Sequence, residues 1–120
     1  MTNEPNLQKL LHALGICAKA RGLLVGTPII CEAMRGKTKP LLVVSAADNA
    51  ENTQKKLFDK CAFYGVRIEI ADVGGEQLAA AIGKHAKVAA VAVTDEHLCR
   101  LVENTLKQLN TSAKSAVWQE

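Results

Sequence analysis

Residues 41–70, LLVVSAADNAENTQKKLFDKCAFYGVRIEI, decide the fold. They open on an unbroken apolar run, Leu41 to Val44, which suits a strand covered on both faces and therefore a central one. Asp48 or Asn49 is placed to cap a following helix whose buried stripe is Leu57, Phe58, Cys61 and Ala62, with Lys55, Lys56 and Lys60 outside. Tyr64-Gly65 closes that helix. Val66, Ile68 and Ile70 then alternate with Arg67 and Glu69, the period of two that marks a strand with one wetter face or an edge position.

The same grammar continues in both directions. Toward the N-terminus, Leu7, Leu10, Leu11, Leu14, Cys17 and Ala18 recur at helical spacing, and the helix they define ends near Arg21-Gly22. Leu23 to Val25 predicts a short strand; Gly26-Thr27-Pro28 then starts a second helix, with Thr27 as its cap and Pro28 in its first turn. That helix reaches Arg35-Gly36, and a basic connection, Lys37 to Pro40, follows. Toward the C-terminus, Asp72-Val73-Gly74-Gly75 turns the chain, Glu76 to Ile82 reads as a short helix stopped by Gly83, and Val88 to Val93 is a second apolar strand. Thr94 or Asp95 caps a last helix with the stripe Leu98, Leu101, Val102, Thr105, Leu106 and Leu109. Strands alternating with helices over short connections predict an α/β fold, a three-layer α/β/α sandwich in one domain spanning residues 1–109. The small polar residues of 110–120 predict a frayed tail.

Composition agrees with a single layered core. The chain has 120 residues, 48% of them apolar, but only one Trp, one Tyr and two Phe, so the core must be aliphatic. The formal charge of +3, from 15 Lys and Arg against 12 Asp and Glu, is a weak pull toward polyanions by itself. No charged leader with an apolar h-region opens the sequence and no apolar run approaches the roughly 18 residues of a membrane helix. The expectation is a cytoplasmic protein with no membrane partner. The four cysteines, Cys17, Cys31, Cys61 and Cys99, form no C-x-x-C pair and fall among apolar residues, which predicts buried, reduced thiols.

Little in the sequence points to catalysis. His12, His85 and His97 lie on three different elements and none is paired by pattern with a carboxylate and a nucleophile. Asp95-Glu96 fits a helix N-terminus through the dipole alone. Gly74-Gly75 between strand and helix is either a plain tight turn or a weak phosphate-binding turn, without a G-x-G-x-x-G or P-loop pattern around it. No enzymatic activity, cofactor or metal is expected. The basic residues are less evenly spread: Lys19 and Arg21 end the first helix, Arg35, Lys37 and Lys39 follow the second, and Lys55 and Lys56 open the third. If these ends converge they make a positive rim for phosphates; otherwise they are scattered, solvated lysines.

Arg21-Gly22-Leu23-Leu24-Val25-Gly26-Thr27 through Glu32-Ala33-Met34-Arg35-Gly36, then Leu41 to Ala46 and Tyr64-Gly65-Val66, carry a family pattern. The chain resembles the ribosomal protein L-seven-Ae / L-thirty-e superfamily, and more closely its small bacterial members, for which 47–53, Lys60-Cys61, 81–84 and 91–95 are typical. The resemblance covers about residues 7 to 105. It implies a four-stranded mixed sheet between helices and RNA binding, usually of kink-turn RNA, without an enzymatic reaction. It also implies a contact face: the start of the second helix, where Gly26 matches the family's Gly and Thr27 its small residue, and an aliphatic loop before the fourth helix, which contains Val73. Pro28, Ile29 and Glu32 stand where the family has Asn, Glu and Lys, so the side chains that read sheared G·A pairs are replaced.

The functional expectation is a non-enzymatic binder of ribosomal or other structured RNA, acting through phosphate and shape, with Arg21, Gly26, Thr27, Lys37, Lys39, Lys55, Lys56 and Val73 at its face. Ribosome-associated proteins are possible further partners, and a monomer is expected. The alternative is a protein-interaction module that keeps the fold and exposes Ile29 as part of a new apolar surface.

Overall fold

The computed structural model describes residues 4–37 and 39–113. Its elements run α1 (Glu4–Lys19), β1 (Leu23–Val25), α2 (Thr27–Met34), β2 (Leu42–Ala46), α3 (Glu51–Tyr64), β3 (Arg67–Ala71), α4 (Gly75–Ala81), β4 (Ala90–Val93) and α5 (Glu96–Ala113). The four strands form one mixed sheet in the order β1-β4-β2-β3. β4 is antiparallel to both β1 and β2, and β3 is parallel to β2. The apolar strands β2 and β4 are central and fully buried, whereas β3, with its alternating sequence, is an edge. α5 continues to Ala113, past Asn110 where the tail was expected to begin, and the remainder of that tail lies outside the described residues.

Strand alternation sorts side chains into two cores. Leu42, Val44, Ala46, Val91 and Val93 face α1, α4 and α5, where Leu10, Leu14, Cys17, Leu78, Val102 and Leu106 complete the packing. Val43, Ala90 and Ala92 face the other way, toward Ile30 and Met34 of α2 and Leu57 and Cys61 of α3. The central strand β4 thus presents valines to one helical layer and alanines to the other. Three layers result, as the alternation of elements requires. Among the described side chains two stripe positions differ from the sequence pattern, Ala62 and Leu101, which are exposed at the edge of each helix's buried face; the side chain of Leu109 lies outside the described ones.

Local signals account for most boundaries. Asp95 caps α5, its Oδ1 accepting from the His97 and Leu98 amides at 2.8 and 3.1 Å. Gly65 closes α3 in the left-handed conformation, with the Val66 amide donating to the Cys61 carbonyl at 2.8 Å. α1 ends in the same way, the Gly22 amide reaching Cys17 O at 2.9 Å and the Arg21 amide reaching Ala18 O at 3.1 Å, yet the left-handed residue is Arg21, with φ 62°, and not the glycine. Gly22 instead lies close against the start of α5, where a Cβ would stand 2.5 Å from a methyl of Leu98 and 3.4 Å from Asp95 Cβ. Arg67 ties the β3 edge to α5 by an ion pair with Glu103, and it also pairs at 3.1 Å with Glu69 on its own strand.

All four cysteines are free; Cys17, Cys61 and Cys99 are buried and Cys31 is partly exposed. Burial pushes the Cys17 thiol from its ordinary 9.0 up to about 11 and the Cys61 thiol up to about 12. The folded chain therefore holds those protons in a range where the unfolded chain, titrating near the ordinary value, has released them. Unfolding then binds fewer protons, so stability falls as pH rises from 9.0 toward about 12. Cys61→Ala is expected to shallow that alkaline decline, read as urea midpoints across the range. At pH 8 the buried Cys17 is ionised only to about one part in a thousand, so a disulfide reagent should show one fast thiol in the native protein, lost in Cys31→Ser.

Candidate nucleic-acid interface

Because β1, β2 and β3 run the same way, the chain segments that follow them gather at one end of the sheet, and β4 begins there. Backbone bonds tie this end together: Gly26 N to Ala90 O at 3.1 Å, Ala46 N to Ala89 O at 2.9 Å, Ala47 N to Val73 O at 2.9 Å and Val88 N to Gly75 O at 3.1 Å. A polar cluster beneath the β2–α3 turn reinforces it. The Asn49 amide donates to Ala89 O at 2.9 Å and to the Ser45 hydroxyl at 3.1 Å, Gln54 donates to Ala46 O at 2.8 Å, and Ser45 in turn donates to Gln54 Oε1. Buried Ser45 is satisfied in this way inside an otherwise apolar strand.

The helix N-termini at this end differ in who supplies the anion. At α4 the Gly75 amide donates to Asp48 Oδ1 at 3.0 Å and the Gly74 amide to Gln77 Oε1 at 3.0 Å. The protein's own carboxylate occupies the place a phosphate would take, which settles the Gly74-Gly75 turn as structural. A Cβ on Gly75 would also meet the Val88 carbonyl at 2.9 Å, so the second glycine is fixed by the return of the chain. α2 and α3, by contrast, have no side-chain cap. Their N-cap residues are Gly26 and Ala50, so Thr27 stands inside the first turn and not at the cap, and neither Asp48 nor Asn49 caps α3. Asp48 serves α4 instead and pairs with Lys87 at 3.7 Å. Gly26 adopts φ 101°, a conformation side-chain-bearing residues rarely take, and Pro28 fits the first turn because its nitrogen needs no acceptor.

The eight residues expected at the contact face are not brought together. Gly26 and Thr27 lie at the end just described, and Lys55 and Lys56 lie on the exposed side of α3 early in that helix. Arg21 precedes β1, and Lys37 and Lys39 precede β2, so all three fall at the opposite end of the sheet, where Gly22 O accepts from Thr94 N at 3.0 Å and Leu41 N donates to Val93 O at 2.8 Å. The positive rim imagined around Gly26 is therefore divided by the length of the strands. Val73 is 3% exposed and packs with the α1–α4 core, so its side chain does not face outward from the loop. Its amide doubles back to Ala71 O at 2.7 Å, which turns the residue inward. Among the replaced family positions, Pro28 and Glu32 are exposed and Ile29 is 54% exposed. His12, His85 and His97 are exposed and stand apart, and among the described residues no group of His, Cys, Asp or Glu could hold a metal ion. No described helix is long and apolar enough to cross a membrane. Sequence reasoning missed the polar cluster of Ser45, Asn49 and Gln54; a lone Ser in an apolar strand facing an Asn and a Gln was the available signal.

The model of the Ribosomal protein L7Ae/L30e/S12e/Gadd45 family matches residues 8–103. The chain belongs to this family. It is similar to two proteins named RNA-binding protein YlxQ: one from Bacillus subtilis, 36% identical over 86 residues, 69% of this chain and 80% of that protein, and one from Enterococcus faecium, 36% identical over 64 residues, 53% of this chain and 61% of that protein. Among solved structures, a protein of unknown function from Bacillus halodurans superposes with a TM-score of 0.74 at 31% identity, covering 82% of this chain and 97% of the other. A Giardia lamblia 15.5kD RNA binding protein gives 0.70 at 18% identity over 92% of each chain, which shows the shared fold. The four-stranded mixed sheet that the resemblance implied is the one observed.

The geometry of this end makes its supports separable. Asp48→Ala removes the α4 cap and is expected to cost about 1 kcal/mol. Gly75→Ala forces the Val88 strand lead away and should cost about 1–3 kcal/mol. Asn49→Leu removes one of the two donors to the Ala89 carbonyl and the donor to the Ser45 hydroxyl, while the Ala46 amide and Gln54 still partner them, and should cost about 1 kcal/mol. Urea denaturation of the three variants checks the order.

Proposed function

We propose that this protein binds structured RNA, ribosomal or kink-turn-like, without catalysing a reaction on it. The observation that carries the reading is the pair of helix N-termini left without a side-chain cap, α2 at Gly26-Thr27 and α3 at Ala50, on one layer and at one end of the sheet. Unpaired amides and the helix dipole favour an anion at each. Lys55 and Lys56 stand beside them on α3, whereas α4 and α5 already hold Asp48 and Asp95. Family membership, and relatives named for RNA binding, point the same way. Without the Asn, Glu and Lys of the family's base-reading set at positions 28, 29 and 32, recognition rests on phosphate positions and shape more than on base edges. The protein acts in the cytoplasm as a monomer on this reading, and ribosome-associated proteins are its natural neighbours.

A second reading is favoured by Ile29, 54% exposed beside exposed Pro28 at the start of α2: a protein-interaction surface that has replaced the RNA face. Partners recovered from lysate after ribonuclease treatment would support it, and partners lost with the RNA would favour the first.

Binding of kink-turn and plain duplex RNA should fall log-linearly with salt. Lys55→Ala and Lys56→Ala should each flatten that slope by about one unit with little dependence on sequence, and Arg21→Ala, at the far end of the sheet, should leave it unchanged. No binding to either RNA at low salt overturns the proposal.

A further inference from the structure

Phe63 is 80% exposed, the largest exposure among the big apolar side chains of the described residues. It lies on the outer face of α3 with Asn52, Lys55, Lys56, Asp59, Lys60 and Tyr64, which together line a shallow groove. The spacing explains the alignment: positions 52, 55, 56, 59, 60 and 63 follow the i, i+3, i+4 rule of one helical face, opposite buried Leu57 and Cys61. The Phe63 and Tyr64 rings meet edge to face, centroids 4.8 Å apart at 87°, so Tyr64 props the exposed ring. Lys39, from the connection before β2, sets its ammonium 5.8 Å from the centre of the Tyr64 ring and adds a cation to the same surface. Asp59 is the one carboxylate lining the groove, and it pairs with Lys55 at 3.3 Å, leaving Lys39, Lys56 and Lys60 without a described carboxylate partner.

α3 also runs the length of the strands. It starts at the end of the sheet that carries Gly26 and finishes where Tyr64 meets Lys39. From Asn52 to Phe63 the helix rises about 16 Å, the length of about five nucleotides at a stacked-strand rise of about 3.4 Å. Interleaved lysines and an exposed ring along such a line match the two demands of an unpaired strand, cations for its phosphates and a flat apolar group for a base. An acidic protein surface would use the lysines but would leave unexplained a propped, upright Phe at the end of the row.

We propose that the outer face of α3 is a second RNA contact, taking an unpaired segment of about five nucleotides that continues from the structured RNA at the Gly26 end. A base stacks on Phe63, and Lys60, Lys56 and Lys39 neutralise the flanking phosphates. The inference rests on the reading that the protein binds RNA, and extends it along one helix.

The test is fluorescence anisotropy with an eight-nucleotide oligouridylate, a kink-turn RNA and a blunt duplex. Phe63→Ala should weaken oligouridylate binding about tenfold and Phe63→Trp should restore it, with duplex affinity changed by less than about twofold. Lys60→Ala should reduce the salt slope for the oligouridylate by about 0.7. The ring is exposed, so melting temperatures of both Phe63 variants should match the parent. Oligouridylate affinity unaffected by Phe63→Ala overturns this inference alone if structured RNA still binds; absence of binding to every RNA overturns the RNA reading with it. Polyglutamate bound with the same dependence on Phe63 overturns it in favour of an acidic protein partner.

Discussion

Everything at the Gly26 end of this molecule hangs from the turn between β2 and α3. Three polar side chains under that turn, Ser45, Asn49 and Gln54, bond to one another and to the carbonyls of Ala46 and Ala89, so the strand that leaves the sheet and the strand that enters it are fastened at one point. Asp48, one residue earlier, reaches the α4 amide and so fixes a third segment. A buried polar cluster of this kind is stable only when every member is satisfied, and no buried side-chain polar atom among the described residues lacks a partner. The same turn therefore sets where α3 begins, where α4 begins and how β4 approaches Gly26.

The asymmetry of β4 has a matching effect on the layers. With Val91 and Val93 toward α1 and α5 and only Ala90 and Ala92 toward α2 and α3, the second layer sits over small side chains and is built from one eight-residue helix and one longer one. That layer carries both uncapped helix starts and the basic outer face of α3. The opposite layer carries the thicker aliphatic core. On the proposed reading, stability and recognition fall to different faces of one sheet.

Most of the architecture was legible because the signals were strong and local. The apolar runs at Leu41 to Val44 and Val88 to Val93 mark the buried central strands, observed at Leu42–Ala46 and Ala90–Val93, the alternation at Val66 to Ile70 marks the edge strand, and Asp95 and Gly65 act where their chemistry predicts. The failures are instructive because each is a tertiary event. Asp48 looks like a cap for the helix that follows it and instead caps one that starts 27 residues later. Val73 sits in a loop by sequence but turns into the core because its backbone folds back on Ala71. The cations of Arg21, Lys37 and Lys39 could be joined to Gly26 only by ignoring strand direction, which places residues before β1 and β2 a full strand away from residues after them. Phe63 falls outside the stripe of Leu57, Phe58, Cys61 and Ala62 that the spacing gives, and its exposure and its contact with Tyr64 appear only in the folded chain.

The end of α1 shows how far one side chain's volume can reach. A methyl at position 22 would press on Leu98, which would have to turn aside, so the glycine there serves close contact with α5 while the adjacent arginine takes the left-handed backbone. The two residues divide what one glycine at a helix end ordinarily does, close approach at one position and left-handed backbone at the other. A dipeptide that scans as an ordinary helix stop is thus an address label for α5, written in sterics and legible only from the far side of the protein.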